Sequence, residues 1–251
     1  MLIHPTLELL QRLRLTGMYK ALQEQLQMPD IESLSFEERL ALLLEREMTE
    51  RETRRLKTRL KQAKLRENAA VEDLDYRARR GLDKALMTRL ASCQWIGEHL
   101  NVLITGPTGV GKTWIACALA QKACREGFSA RYLRLPRLLQ QLGIARADGS
   151  YPKLLAEIAR IDLLVLDDWG LTPLNDEQRR DLLEILDDRF NARSTLVTSQ
   201  LPISHWHEYL ADPTLADAIL DRLVHSAYKL DLRGESMRKK AADLTTEPEL
   251  V

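Results

Sequence analysis

Apolar positions follow two different rhythms along the chain. Up to about residue 70 they recur at helical spacing, beginning with Leu7, Leu10, Leu13, Met18 and Leu22. A break follows at Met28-Pro29-Asp30. Ser35 and Glu38 then carry the S-x-x-E signature of a helix start, ahead of Leu40, Leu43 and Leu44. Neither Gly nor Pro intervenes before Gly81, so the pattern predicts a long helix through the 40s to the mid-60s. After about residue 100 the rhythm changes. Short apolar runs at 101–105, 130–135, 161–166, 195–199 and 228–232 read as strands. Helices are predicted between them: one through Trp114, Ile115, Ala118 and Leu119 that ends near Gly127, one capped by Asn175, and one opened by Asp212-Pro213. Apolar strands alternating with helices predict an α/β fold, a parallel sheet covered on both faces and preceded by a small all-helical region.

Loop chemistry gives the strongest functional signal. Gly106-Pro107-Thr108-Gly109-Val110-Gly111-Lys112-Thr113 matches G-x-x-x-x-G-K-[ST], with an apolar strand before it and a helix after it. Glycines allow backbone N–H groups to turn inward around phosphate oxygens, and the helix N-terminus adds partial positive charge. Lys112 is expected to reach the β- and γ-phosphates of ATP and Thr113 to ligate Mg²⁺. The apolar run Leu163-Leu164-Val165-Leu166 ends in Asp167-Asp168. Asp167 is expected to hold Mg²⁺, mostly through water. Asp168 is expected to orient or deprotonate an attacking water, with capping of the next turn as its competing role. The next strand ends in Thr198-Ser199-Gln200, where Ser199 and Gln200 compete for a water-positioning role. Arg222 is placed to reach the γ-phosphate of a neighbouring subunit or, alternatively, to pair with a nearby acid. Arg238 is a candidate to sense the γ-phosphate in cis.

Charge changes the picture through its distribution. The chain has 251 residues, 45% of them hydrophobic, which is ample for a core, and 37 basic against 37 acidic residues. A net charge of zero predicts no polyanion partner. Between residues 51 and 66, however, Arg51, Arg54, Arg55, Lys57, Arg59, Lys61, Lys64 and Arg66 are opposed only by Glu52. At helical spacing Arg51, Arg55, Arg59 and Arg66 share one side. Five more basic residues lie between Arg77 and Arg89, opposed by Asp83. We read the 51–66 run as a contact for the phosphate backbone of duplex DNA, sequence-independent by its nature. Cys93, Cys117 and Cys124 form no C-x-x-C pair and are expected to be buried free thiols. Trp95, Trp169 and Trp206 are expected in the core or at an interface rather than as base-stacking platforms. No apolar run is long enough to span a membrane and the N-terminus lacks the pattern of a secretory signal, so a cytoplasmic location is expected.

Taken together, G-P-T-G-V-G-K-T, L-L-V-L-D-D-W-G, L-V-T-S-Q-L-P, D-R-L and R-G-E-S-M-R-K resemble the IstB-type transposition helper ATPases of insertion sequences. These are relatives of the DnaC helicase loaders in the AAA+ class. The resemblance spans roughly residues 1 to 245. It implies an AAA+ core with strand order 5-1-4-3-2, an ATP-dependent homo-oligomer (ring or filament) on duplex DNA, and a cognate transposase as partner. It also places Arg222 at a finger position acting in trans and Arg238 at a second sensor. The organisation expected is a DNA- or partner-binding helical domain at 1–70, a basic helical linker at 71–98, an ATPase domain at 99–244 and a tail at 245–251. A DnaC-like helicase loader is the alternative. A small-molecule kinase shares the loop but has no use for a basic helical appendage. Many AAA+ members carry Glu where Asp168 stands.

Overall fold

The computed structural model describes residues 5–78 and 80–237. The chain divides into two compact units, Met1–Thr58 and Arg59–Val251.

In the first unit, α1 (Pro5–Arg12) and α2 (Thr16–Gln25) precede a short 3₁₀ turn at Ile31–Ser33 and the long α3 (Phe36–Ala63), whose last residues belong to the second unit. The expected capping box opens α3: Ser35 Oγ accepts from Glu38 N–H at 3.2 Å and Ser35 N–H donates to Glu38 Oε2 at 2.8 Å. The helically spaced run Leu7–Leu22 is divided between two helices, with Arg14 at φ 58° between them. Gly17 then meets α3 so closely that a Cβ would lie 2.6 Å from Arg46 O and from Glu47 Cα.

In the second unit, a 3₁₀ turn at Val71–Asp73, α4 (Lys84–Ala91) and α5 (Gln94–Gly97) lead into the sheet. The elements β1 (Asn101–Thr105), α6 (Lys112–Arg125), β2 (Ala130–Arg134), α7 (Leu135–Asp148), α8 (Tyr151–Ala159), β3 (Leu163–Trp169), α9 (Asp176–Arg189) and β4 (Ser194–Ser199) follow. They are completed by α10 (Trp206–Leu210), α11 (Pro213–Val224) and β5 (Ala227–Asp231). The sheet has the order β2-β3-β4-β1-β5 with every pair parallel, which is the expected 5-1-4-3-2 arrangement. Strands β1 and β4 are buried along their whole length, as strands covered on both faces must be. Ile115, Cys117, Leu119 and Cys124 of α6 are all buried, and the three cysteines of the chain are buried and free. Trp95, Trp169 and Trp206 are core residues, with Trp169 and Trp206 stacked at a tilt, ring centroids 5.0 Å apart. The Asn175 capping box, with Gln178 as its partner, starts α9, and Asp212 caps α11 ahead of Pro213.

Candidate functional site

In a parallel sheet the strands all point their C-terminal ends one way, and ligands gather there. Here the ends of β1, β2, β3 and β4 deliver Gly106, Arg134, Asp167-Asp168 and Thr198-Ser199 to one edge. They surround a cavity of about 340 Å³ whose lining includes Lys112, Thr113, Asp167, Asp168, Arg134 and Arg66. That size falls within the usual range for a small-molecule site.

The Gly106–Thr113 loop closes one side. Gly111 has φ 96° and caps α6 without any side-chain bond, which leaves the first-turn N–H groups of a helix facing the cavity. At Gly106, with φ 143°, a Cβ would fall 2.3 Å from Leu232 O, so the turn admits no side chain. Thr108, Gly109, Gly111, Lys112 and Thr113 line the cavity. Gly106, Pro107 and Val110 support the loop instead. Lys112 Nζ donates to Gly106 O and Pro107 O at 2.7 Å each. Val110 is buried and its carbonyl accepts from Arg80 Nη1 at 3.1 Å. Burial holds both Lys112 and Arg80 below their ordinary pKa, with Asp167 and Asp168 opposing the shift at Lys112 and Asp75 and Tyr76 opposing it at Arg80.

Opposite the loop stands Asp167, 1% exposed. Thr113 Oγ1 lies 3.1 Å from each of its carboxylate oxygens, and Tyr132 and Thr198 donate to it as well. Burial, and after it the bond to Asp167, raises the Tyr132 pKa. Thr113 and Asp167 form an all-oxygen pair of the kind hard Mg²⁺ accepts. Among the described residues no group of three or more His, Cys, Asp or Glu gathers, so a cation at this pair would take its remaining ligands from phosphate and water.

Successive residues of a regular strand point to opposite faces, which would turn Asp168 away from the cavity. A bulge prevents this. Leu166 pairs with Val197 but Trp169 pairs with Ser199, so β3 carries one extra residue there, and Asp168 sits at φ 64°. Both carboxylates thereby line the same cavity. Asp168 Oδ2 accepts from Arg134 Nε at 2.6 Å. Of the two strand-end candidates, Ser199 is buried, donating to Trp169 O at 2.8 Å and accepting from Leu201 N–H at 3.0 Å. Gln200 is exposed, and its Oε1 accepts from Thr108 Oγ1 at 2.8 Å.

The remaining sequence candidates scatter. Arg222 does not line this cavity; it donates to Asp187 at 2.6 Å and to Ala218 O at 2.9 Å. Arg238 lies outside the described residues. The basic run divides. Arg51 pairs with Glu47 at 2.7 Å, Arg54 bonds Thr16 at 2.6 Å, and Arg59 donates to Cys124 O at 2.8 Å. Arg55, Lys57, Lys61 and Lys64 are exposed. Arg66 is not on the helical side it was assigned to, because α3 ends at Ala63 and Lys64 takes φ 50°. Instead it reaches the cavity, with Nη1 3.9 Å from Asp167 Oδ2. Arg134, Tyr132, Thr198 and Arg80 were not anticipated. The signal for Arg134 was its place at the C-terminal end of β2, level with the acids of β3.

Residues 8–245 match the family described as IstB-like ATP binding protein. The chain belongs to that family. It is 55% identical to the insertion sequence ATP-binding protein y4pL of Sinorhizobium fredii, over 95% of this chain and 98% of that one. It is 32% identical to the ATP-binding protein of insertion sequence IS21 from Pseudomonas aeruginosa, over 95% and 90%. Among solved structures, DnaI is similar with a TM-score of 0.55 at 22% identity, over 66% of this chain and 91% of that one. The DnaC helicase loader is similar with a TM-score of 0.53 at 20% identity, over 66% and 97%. The fold of this IstB-like chain is therefore that of the AAA+ P-loop proteins, and its family is one of ATP-binding proteins.

Proposed function

We propose that this IstB-like protein is an ATPase that assembles on duplex DNA, remodels it and recruits or activates a transposase, with hydrolysis driving disassembly. The observation that carries the ATPase reading is the bulge at Asp168, which turns a second carboxylate into the cavity beside Asp167. In this reading the loop N–H groups and Lys112 hold the β- and γ-phosphates, and Thr113 and Asp167 hold Mg²⁺. The ion, when bound, neutralises charge on the β- and γ-phosphate oxygens. Asp168 accepts a proton as water attacks the γ-phosphorus, the bond to the β–γ bridging oxygen breaks, and ADP leaves with that electron pair. Gln200, tied to the loop through Thr108, positions the water, since the Ser199 hydroxyl is bonded to backbone on both sides. Arg222 serves a neighbouring subunit, and Arg238 keeps its sensing role as part of this proposal. Exposed Arg55, Lys57 and Lys61 on α3 support contact with DNA phosphates. No helix among the described residues is long and apolar enough to cross a membrane, in keeping with work on DNA in the cytoplasm.

The test is binding of the purified chain to labelled duplex and single-stranded DNA, with and without ATP and Mg²⁺, beside K112A. Tight, salt-sensitive, ATP-dependent binding to duplex of arbitrary sequence, lost in K112A, is expected. A preference for single strands would transfer the chain to the helicase-loader reading. Failure to bind either would remove nucleic acid from its function.

A further inference from the structure

Beside the P-loop cavity, along the outer edge of the sheet, runs a second cavity of about 470 Å³. It is lined by Lys64, Arg66, Arg131, Arg134 and Arg137, with no acidic residue in its wall. In a chain whose net charge is zero, five cations converge on one groove; Arg66 is opposed by Glu67 and Asp167 and Arg134 by Asp168, and the other three leave a local positive field. Arg66 and Arg134 are shared with the P-loop cavity and face its carboxylates, Asp167 and Asp168. Lys64, Arg131 and Arg137 have no hydrogen bond or ion pair from their side chains to any other described residue.

A second feature points the same way. Among the described residues strand β2 pairs only with β3, so it is an edge strand, and α7 starts directly from its end. The α7 N-terminus has no side-chain cap, and Arg134, Arg137 and Gln141, spaced by about one and two helical turns, run from that terminus along the groove. The positive end of the helix therefore borders the same groove at its N-cap residue, Arg134. Edge strands do carry charges merely to block pairing with other strands. That explanation accounts for Arg131, but not for Arg137 and Lys64, which lie outside the strand.

We infer that this groove is a binding site for the phosphodiester backbone of nucleic acid, separate from α3. The inference rests on the DNA reading proposed above. Its test is the salt dependence of duplex binding by the full chain carrying R131A/R137A, which alters neither cation shared with the P-loop cavity. If the groove holds phosphates, affinity should fall on the order of ten-fold, and the slope of log K against log salt should shrink by about two, one for each lost contact. ATP binding should stay within about two-fold of wild type, and R131K/R137K should restore both affinity and slope. An unchanged slope in R131A/R137A, with wild type still binding DNA, would reduce the groove to edge protection and leave the DNA reading intact. Equal loss in the lysine variant would show that charge is not the feature, and would overturn the assignment. Two labelled nucleotides per wild-type chain, reduced to one by R131A/R137A, would make the groove a second nucleotide site instead. No DNA binding by wild type would remove the parent reading and this inference together.

Discussion

Asp168 is the residue where backbone and chemistry constrain each other most tightly. Its φ of 64° is the left-handed conformation, which L-residues with a Cβ generally avoid and which Asp and Asn tolerate better than most. Many AAA+ proteins place Glu here, and the bulge supplies a physical reason for the shorter acid in this chain: the turn that aims the carboxylate into the cavity favours Asp. D168E should therefore not produce a faster enzyme. It should melt about 2–4 °C lower, corresponding to roughly 1 kcal/mol of added backbone strain. Its phosphate release should fall below wild type, because the longer side chain also displaces the ion pair with Arg134, made at 2.6 Å. A D168E variant that turned over faster at unchanged melting temperature would mean that reach, rather than backbone conformation, limits the reaction.

At the level of elements, the helical unit shows how one buried charge fixes a packing arrangement. Glu47 on α3 is 6% exposed, and its Oε2 accepts from the N–H groups of Gly17 and Met18 at 2.7 and 3.1 Å, capping α2 from outside. Arg51 completes the set at 2.7 Å. Burial works against ionisation of Glu47, but the bonds from Arg51, Met18 and Gly17 together outweigh it and hold its pKa below the ordinary 4.5. A lowered carboxylate contributes stability that is fully present above its unfolded pKa and disappears as pH falls through the folded one. E47Q should thus cost about 1–3 kcal/mol at neutral pH, and the gap to wild type should close below pH 4.5. Thermal unfolding between pH 3 and 7 checks this; a gap independent of pH would assign the role to shape alone. None of this was legible in the sequence, where Leu7 to Leu22 shows helical spacing but no marker of the stop at Arg14. The strands and the Gly106–Thr113 loop were legible, since apolar runs bounded by glycine carry their own signal. Helices α7 and α8 had a readable period too, Leu135, Leu138, Leu139, Leu142 and Ala145 in the first and Tyr151, Leu154, Leu155 and Ile158 in the second. It was masked by Pro136 and Pro152, which look like breakers but sit in the first helical positions. The bulge at Asp168 and the approach of Arg134 and Arg66 depend on strands distant in sequence, which no local pattern reports.

For the whole molecule, the decisive residue is one that its own P-loop cavity does not use. Arg222 lies outside that cavity and pairs with Asp187, which is 61% exposed. Such a surface pair contributes at most about 1 kcal/mol, so Arg222 is released at little cost and R222A should fold normally. If Arg222 completes the site of the next subunit, each active interface needs Asp168 from one chain and Arg222 from its neighbour, a head-to-tail arrangement. R222A and D168N should each lose roughly a thousand-fold or more in turnover, the scale of an arginine finger or a lost catalytic base. D168N is suited to this use because Asn tolerates the left-handed backbone and preserves the bulge. Mixed in equal amounts on DNA with ATP, the two inactive chains should recover about one quarter of wild-type turnover. Random neighbours place an intact Asp168 against an intact Arg222 at about one interface in four. Recovery is the signature of a site shared between chains. If the mixture stays as inactive as its components while light scattering shows that it assembles, Arg222 belongs to its Asp187 pair and the finger must be sought elsewhere on the chain.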